Sequence, residues 1–316
     1  MYLTYPESRR QLSETIAMFN KYTTIAVDLS SLAYRSFYGL PDSIKSTEGK
    51  PVNAIKGYLD ALNRFIKLYK PKEIIHAVDE DWRPQWRVDL LPQYKAHRVE
   101  ESDGELVPDD LEYQLELLPQ ILQDMGMKVV GAAKAEADDL LAVICKQKSN
   151  VVVITGDRDL LQLIDDKRSN AVHMLGKDGG FLFTEKEVLN KYGVKANQYI
   201  DFSVLRGDAS DGLPGVKGIG EKTAAKLVYE FENVDNLILE ASKGNASISK
   251  RIAASILDSN DYIINAIKVV TLKSDLDIDL SRRSHGISIT EIRSKYQNLK
   301  IGNQLDTFND SSKSRS

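Results

Sequence analysis

The most informative run in the chain reads Val151-Val152-Val153-Ile154-Thr155-Gly156-Asp157-Arg158-Asp159. Its first five residues are all β-branched, which predicts a short strand buried in a parallel sheet. A glycine ends that pattern, and two aspartates follow closely. Parallel sheets bind ligands in the crevice beyond the carboxyl ends of their strands, so Asp157 and Asp159 are candidate site residues.

Two strands upstream end in a similar way. The run 23–27 leads to Asp28, and the run 73–78 leads to Asp79. Helical spacing at 30–38, 52–69, 111–125 and 138–148 alternates with these strands and with a short one at 129–130. The alternation predicts an α/β fold with a mostly parallel central sheet and helices on both faces. One aspartate after a strand is ordinary in a loop, but the same placement after three strands indicates a shared site.

A dense acidic cluster precedes the 138–148 helix, in the run Ala135-Glu136-Ala137-Asp138-Asp139. Negative side chains favour a helix N-terminus because of its free N–H groups and dipole, so some acidity is expected there. Three carboxylates in four positions exceed that need, and like charges this close repel unless a cation lies among them or one is protonated. An over-acidic helix start and a cation site both remain open on this run alone.

Two further carboxylates, Asp208 and Asp211, are three residues apart and would share one face of a helix. With them, nine carboxylates are candidates for one pocket: Asp28, Asp79, Glu136, Asp138, Asp139, Asp157, Asp159, Asp208 and Asp211. Oxygen ligands without neighbouring His or Cys suit a hard cation, Mg²⁺ or Mn²⁺. So many ligands favour two or more ions, an arrangement that cleaves phosphodiesters. A carboxyl pair for glycoside hydrolysis is an alternative, but it would not require nine acids.

Residues 82–110 differ in character from the rest, because charged and aromatic residues and prolines are frequent there. We expect a helix around 90–98 and an acidic loop at 100–105. Lys95 and Arg87 are candidates for stabilising charge on a phosphate, and Tyr94 for stacking on a base. The alternative for 94–98 is a solvated helix face, and both tryptophans are better interpreted as packing residues.

A glycine-rich run at 213–226 follows the last aspartates. Its order, G-x-x-G-x-G, is not a dinucleotide fingerprint, and no strong strand precedes it. It predicts a hairpin between two helices, with the second helix opening at Glu221. Bare N–H groups beside a helix N-terminus bind phosphate oxygens, and Lys217, Lys222 and Lys226 add positive charge. A plain helix-turn-helix connection is the alternative.

Bulk composition sets further limits. The 316 residues suit two domains, and a formal net charge of −4 argues only weakly against nucleic acid, because the acids are clustered. The polar start and the lack of a long apolar run predict a cytoplasmic protein with no membrane partner. Cys145 is expected to be a packed thiol, and the four scattered histidines do not suggest a zinc site.

Taken together, the motifs resemble those of the bacterial and phage 5′→3′ exonucleases and flap endonucleases, which include the N-terminal nuclease domain of bacterial DNA polymerase I. The resemblance covers about residues 22–280. It is carried by V-D28, Y-R35-S-F, V-D79, Y-K95-A-H-R98, A-E136-A-D138-D139, T-G-D157-R-D159 and G-D208-A-S-D211-G-L-P-G-V-K-G-I-G-E-K-T-A-A-K. One departure is Gly212, where the family usually has Asn.

The resemblance implies a PIN-like or resolvase-like nuclease core at 22–196, preceded by a polar extension at 1–21. Within the core, 82–110 would be a helical arch, with Lys95 and Arg87 contacting phosphate. Residues 197–280 would form a helix-three-turn-helix DNA-binding region, and 281–316 a C-terminal segment with a disordered tail. The implied DNA contacts are Arg35, Arg98, Gly215, Lys217, Gly218, Gly220, Lys222, Thr223 and Lys226, with K⁺ at the helix-three-turn-helix.

The implied activity is metal-dependent, structure-specific 5′ nuclease cleavage of DNA with 5′ flaps, 5′ overhangs or nicks, including RNA–DNA hybrids. Such an enzyme serves replication and repair, for example in primer removal from Okazaki fragments, and we expect a stand-alone monomer. Two alternatives remain: a catalytically weak junction-binding relative, and a small RNA-cutting nuclease of the PIN type. The complete acidic set argues against the first. The glycine hairpin and the arch argue against the second.

Overall fold

The fold is built on a six-stranded sheet in the order β3-β2-β1-β4-β5-β6. The computed structural model describes residues 19–99, 104–281 and 285–313, with side chains described as far as residue 308. The strands are β1 (Thr24–Asp28), β2 (Glu73–Ala77), β3 (Lys128–Val130), β4 (Val151–Thr155), β5 (Ala171–Met174) and β6 (Phe181–Phe183). Strands β1 to β5 pair in parallel, and β6 is antiparallel to β5. The predicted mostly parallel sheet is confirmed, although β5 and β6 were not predicted.

Helices follow most of the strands. They are α1 (Leu29–Gly39), α2 (Asn53–Tyr69), α3 (Gln85–Leu90), α4 (Asp109–Asp124), α5 (Ala137–Gln147), α6 (Glu185–Tyr192), α7 (Tyr199–Arg206), α8 (Glu221–Phe231), α9 (Val234–Ser242), α10 (Lys250–Asp258), α11 (Asn260–Val270), α12 (Ile289–Lys295) and α13 (Gly302–Lys313). The predicted opening of a helix at Glu221 is confirmed, as are the helices expected at 30–38, 52–69, 111–125 and 138–148, to within two residues at each end.

Two apolar clusters cover the two faces of the sheet. Side chains alternate along a strand, so Ala26 of β1 belongs to one cluster while Ile25 belongs to the other. The first cluster joins α5 to the C-terminal helices α7 to α11. The second joins α2 and α4 to α13, where Leu305 is buried. Helices therefore lie on both faces, as predicted.

Three local predictions are wrong. The helix expected at 90–98 is replaced by α3, a turn and a short 3₁₀ segment at Ala96–Arg98. Pro92 disfavours helical backbone at Leu91, which is extended (φ −145°, ψ 88°). The sequence also predicts a short strand at 268–272, but the residues as far as Val270 form the end of α11, in which Ala266, Val269 and Val270 are buried along one helical face.

The C-terminal tail is the third. Disorder was expected from residue 306, but α13 continues to Lys313, and residues 314–316 lie outside the described part of the chain. The acidic loop expected at 100–105 falls largely on residues 100–103, which are also outside it. Among the described residues, no helix is both long enough and apolar enough to cross a membrane.

A histidine in β2 is buried in the core, where its hydrogen bonds define its protonation state. His76 is 0% exposed, and its Nε2 lies 3.3 Å from the Met127 sulfur, which only accepts hydrogen bonds. Nε2 therefore carries the proton, and Nδ1 accepts from the Tyr58 hydroxyl at 2.6 Å. Burial lowers the pKa of His76 from 6.5 to about 3. The folded protein holds this ring neutral.

We expect His76 to make folding less favourable in acid. Because its folded pKa is depressed, stability present above pH 6.5 is lost as the pH falls toward 3. The loss between pH 7 and pH 5 should be about 2 kcal/mol. Urea unfolding at several pH values should show a flatter pH dependence for His76→Gln than for the wild type. His97→Gln, at an exposed position, is the control, and equal slopes in all three proteins would contradict the assignment.

Candidate active site

A cavity of about 560 Å³ opens beyond the carboxyl ends of β1, β2 and β4. Four of the nine predicted carboxylates line it: Asp28, Asp79, Asp138 and Asp157. They come from three strand ends and the first turn of α5, which is the convergence that the parallel sheet predicts. The other lining residues are Ser30, Ser31, Tyr34, Trp82, Lys95, Arg98, Glu105, Leu106, Gly156, Arg158 and Ser210.

Hydroxyl and backbone donors fix the orientation of two of these acids. Asp28 caps α1: its Oδ1 accepts from the Ser31 N–H at 3.0 Å, and its Oδ2 accepts from the Thr155 hydroxyl at 2.7 Å. Asp79 accepts from the Ser30 hydroxyl at 2.7 Å and from the Ala137 N–H at 2.8 Å. Sequence reasoning missed these hydroxyls, since serines in a first helical turn have an ordinary capping role.

The carboxylates raise one another's pKa values. Burial, and then the charge of Asp79, raises the pKa of Asp28 to about 7. Burial and the charge of Asp157 raise the pKa of Asp138 well above its usual range. For Asp157 itself, burial and then Asp211 raise the pKa. The cavity therefore holds more negative charge than its own donors neutralise, a condition that a bound cation relieves.

Asp159 and Asp211 lie beside the cavity and are nearly buried, at 8% and 6% exposed. Burial and the charge of Asp157 raise the pKa of Asp159 well above normal. The Oδ1 atom of Asp211 is buried without a hydrogen-bond partner among the described residues. Its nearest cation, Arg98, is 3.8 Å away. A buried, unpaired carboxylate oxygen is costly, so it fits a site that gains a positive ligand.

Glu136 and Asp139 are paired with cations instead. The Arg87 guanidinium donates to both oxygens of Asp139 at 2.8 and 3.0 Å, and also to Glu136. Glu136 accepts from Lys95 and from the Tyr94 hydroxyl as well. Both acids are at most 1% exposed. In this structure both acids lie in a buried ion network behind the cavity, and their role as metal ligands stays a prediction.

Asp208 is similarly occupied. Its Oδ2 accepts from Arg158 at 2.9 Å and from Arg206 at 3.0 Å, while its Oδ1 accepts from the Ser210 N–H at 3.1 Å. Asp208 is the N-cap of a 3₁₀ turn at Ala209–Asp211 and is not part of an α-helix.

Comparison with known proteins identifies the family. The model of the 5′-3′ exonuclease N-terminal resolvase-like domain matches residues 23–193, and that of the 5′-3′ exonuclease C-terminal SAM fold matches residues 194–295. The chain belongs to the 5′-3′ exonuclease family. The predicted resemblance, fold class and 5′ nuclease function are confirmed by this membership.

Two relatives have sequences similar to most of this exonuclease. A 5′-3′ exonuclease from Streptomyces coelicolor is 41% identical over 260 residues, spanning 80% of this chain and 86% of that protein. The thermostable DNA polymerase I of Thermus filiformis is 31% identical over 292 residues, spanning 90% of this chain but 33% of the polymerase.

Solved structures share the fold. The bacteriophage T5 D15 protein co-crystallized with metal ions has a TM-score of 0.63 at 18% identity, covering 93% of this chain and 99% of that one. Flap endonuclease-1 from Methanococcus jannaschii has a TM-score of 0.62 at 16% identity, with 96% of each chain covered.

A divalent cation fits part of the exonuclease's predicted ligand set. In the described part of the chain, no three His, Cys, Asp or Glu side chains already form a group that holds a metal ion. The donor chemistry nevertheless suits Mg²⁺ or Mn²⁺, because the four cavity carboxylates supply only oxygen ligands. Burial and neighbouring negative charge raise the pKa values of Asp28, Asp138 and Asp157. Glu136, Asp139 and Asp208 are not free ligands here, because arginine and lysine already occupy them.

The arch residues divide into two groups. Lys95 and Arg98 line the cavity. Arg87 is 1% exposed and Tyr94 is 5% exposed, both turned toward Glu136, so neither reaches the cavity. Both side chains lie in the interior in this structure, and their contacts with a phosphate and a base stay predictions.

The expected DNA-contact residues are exposed on the C-terminal region. Lys217, Lys222 and Lys226 are exposed around the glycine hairpin, and α8 begins at Glu221 after Gly220 without a side-chain cap. Free N–H groups at such a start attract phosphate oxygens. On the core side, Arg35 is exposed on α1.

Proposed function

We propose that this exonuclease is a divalent-metal-dependent, structure-specific 5′ nuclease that removes 5′ flaps and 5′ ends from DNA junctions. The observation that carries the proposal is the convergence of Asp28, Asp79, Asp138 and Asp157 on one cavity beside Lys95. Carboxylates collected at a parallel sheet's carboxyl edge, with a lysine next to them, suit phosphodiester hydrolysis better than binding alone.

Those four carboxylates would hold Mg²⁺ or Mn²⁺, with Asp159 and Asp211 beside them. When bound, such ions supply charge neutralisation for the phosphate and acidify a water molecule. The chain's own part is to keep the acids in place: the Ser30 and Thr155 hydroxyls and the Ser31 N–H orient Asp79 and Asp28 through the hydrogen bonds described above.

Positively charged side chains at the cavity would bind the DNA strand that is cleaved. Lys95, Arg98 and Arg158 line the same cavity as the acids, and Trp82 and Tyr34 offer aromatic surface near them. Lys95 donates to Glu136 in this structure, and a phosphate oxygen entering the cavity would compete for that ammonium group. Lys95 would then contribute to stabilising charge that develops on the phosphate.

The glycine hairpin would grip the duplex without reading its sequence. Gly215, Gly218 and Gly220, with Thr223 and the exposed lysines 217, 222 and 226, would contact backbone phosphates, and K⁺ at the hairpin would add charge. The T5 D15 flap endonuclease has been solved as a pseudo-enzyme-product complex with DNA and metal ions, which supports DNA and metal binding by this fold. The DNA polymerase I relatives favour a role in primer removal and repair. A cytoplasmic monomer is part of the proposal.

The proposal is tested by mapping cleavage products with Mg²⁺ on 5′-flap, nicked, gapped and RNA-primed duplexes run side by side. Cleavage near the base of the 5′ flap is expected, with little on a blunt duplex. A junction-binding protein that has lost turnover is the second candidate, because three predicted ligands are paired with cations. Tight flap binding with no product in Mg²⁺ or Mn²⁺ would favour it.

We expect Lys95→Ala to slow single-turnover cleavage about 100-fold while changing the DNA Kd less than about threefold. Its ammonium group is held by acids inside the site, so it acts on the reacting phosphate more than on docking. Lys222→Ala is the matched control: an exposed lysine on α8 should weaken binding and reduce the salt dependence of log K by about one. Equal losses of rate and affinity for Lys95→Ala would make it a docking residue.

A further inference from the structure

The segment that carries Lys95 docks on the turn between Asp208 and Leu213. The Lys95 N–H donates to the Asp211 carbonyl at 3.0 Å, and the Arg98 guanidinium donates to the Ser210 carbonyl at 2.7 Å. Two backbone hydrogen bonds between Asp208 and Leu213, at 3.0 and 2.8 Å, close the turn. The contact between these two segments therefore positions Lys95 together with Asp208 and Asp211.

Gly212 is the closest point of that contact. Its φ is +72°, and a Cβ built on it would lie 2.2 Å from the Gln93 carbonyl oxygen and 3.2 Å from the carbonyl carbon. Separations below 3.0 Å are essentially never seen for real Cβ atoms. Both neighbouring atoms belong to the backbone, so no side-chain rotation relieves the clash. In this chain, a Cβ at 212 must therefore shift one of the two segments.

Such a shift would act directly on Lys95. This residue has left-handed backbone (φ 49°), and its side chain is nearly buried as it reaches Glu136 along the cavity that Asp138 and Asp157 also line. Because the backbone around Lys95 is held by these contacts, its ammonium group has little freedom to move. We propose that Gly212 is a positioning residue that sets the place of the Lys95 ammonium group among the carboxylates. The inference rests on the proposed function of Lys95.

The test uses two variants and a glycine control. Gly212→Ala adds the Cβ, and Gly212→Asn adds it with a residue that tolerates positive φ, so folding is less affected. Gly244→Ala is the control, because Gly244 has nearly the same φ, +73°, with nothing within 4 Å of its Cβ position. Both Gly212 variants should lower the single-turnover rate by about 10- to 100-fold, with little change in DNA Kd. Gly244→Ala should cleave like the wild type. Rates within twofold of the wild type in both Gly212 variants would overturn the inference.

A second readout needs no cleavage. The chain has two tryptophans, Trp82 and Trp86, and both lie in the segment that leads to Lys95. The Lys273 ammonium group lies 3.6 Å from the centre of the Trp86 ring, so the fluorescence of this segment is sensitive to its packing. Emission of the metal-free protein should change in Gly212→Ala and stay unchanged in Gly244→Ala. An unchanged spectrum in both Gly212 variants would also overturn the inference.

Coupling to Lys95 is measured with the double variant. If Gly212 acts through Lys95, adding Gly212→Ala to Lys95→Ala should cost less than about twofold further rate. Fully multiplicative losses would show an independent role and overturn the inference. Should the wild type cleave no DNA substrate, the proposed function fails, while the fluorescence of the Gly212 variants still decides whether the contact sets the local structure.

Discussion

Asp157→Asn is expected to abolish cleavage and, in the same protein, to raise the stability of the metal-free fold. Asp157 lines the cavity at the end of β4, and burial together with the charge of Asp211 raises its pKa. Asparagine has the same shape, and its side-chain oxygen can still accept the Asp159 N–H that Asp157 Oδ1 accepts at 2.8 Å. Removing one negative charge lowers the repulsion among the acids, which should stabilise the empty site by about 1 kcal/mol.

The loss of cleavage has a separate cause. A neutral side chain at 157 binds a hard cation more weakly, so the rate should fall at least about 10³-fold. Single-turnover cleavage, flap binding and thermal unfolding in EDTA measure the three effects. Asp166→Asn is the control, an exposed acid at the opposite edge of the sheet, and should change none of them. Unimpaired cleavage, or a lower unfolding temperature in EDTA, would remove Asp157 from the site.

The sequence could predict the strand ends because their signals are local. A buried strand is a short apolar run, and the residue that follows it must stand at the sheet's carboxyl edge. Asp28, Asp79 and Asp157 were placed correctly on that basis alone, and Asp138 followed from the acidic start of α5. The opening of α8 after the glycine hairpin was predictable for the same reason.

Pairing between distant segments could not be predicted in this way. Three acids in the run 136–139 have the same local pattern whether a metal or an arginine neutralises them. The structure divides them: Asp138 faces the cavity, while Glu136 and Asp139 face Arg87. The outcome depends on Arg87, which is about 50 residues away and is buried on α3, where its Nε donates to the Val269 carbonyl. The contact of Gly212 with Gln93 is equally nonlocal.

The second large effect is expected from Arg87→Ala, which should destabilise the protein by about 3–5 kcal/mol. Arg87 binds both oxygens of Asp139, donates to Glu136 and donates from Nε to the Val269 carbonyl at 2.9 Å. It therefore joins α3 to α5 and to the end of α11 at a site closed to water. Removing it leaves two buried carboxylates without their main cation, and burial already raises the pKa of Glu136.

Urea unfolding should show this loss in full, whereas Lys243→Ala, which breaks the exposed pair with Glu240, should leave the stability almost unchanged. The double variant Arg87→Met with Asp139→Leu should recover part of the loss, because a buried ion pair replaced by apolar groups leaves fewer uncompensated charges. Asp139→Ala alone should then destabilise the fold, rather than only remove a metal ligand.

A different result would contradict this structural role of Arg87. If Arg87→Ala unfolds like the wild type but no longer cleaves DNA, then Arg87 leaves the carboxylates to reach the phosphate, as the family resemblance alone implies.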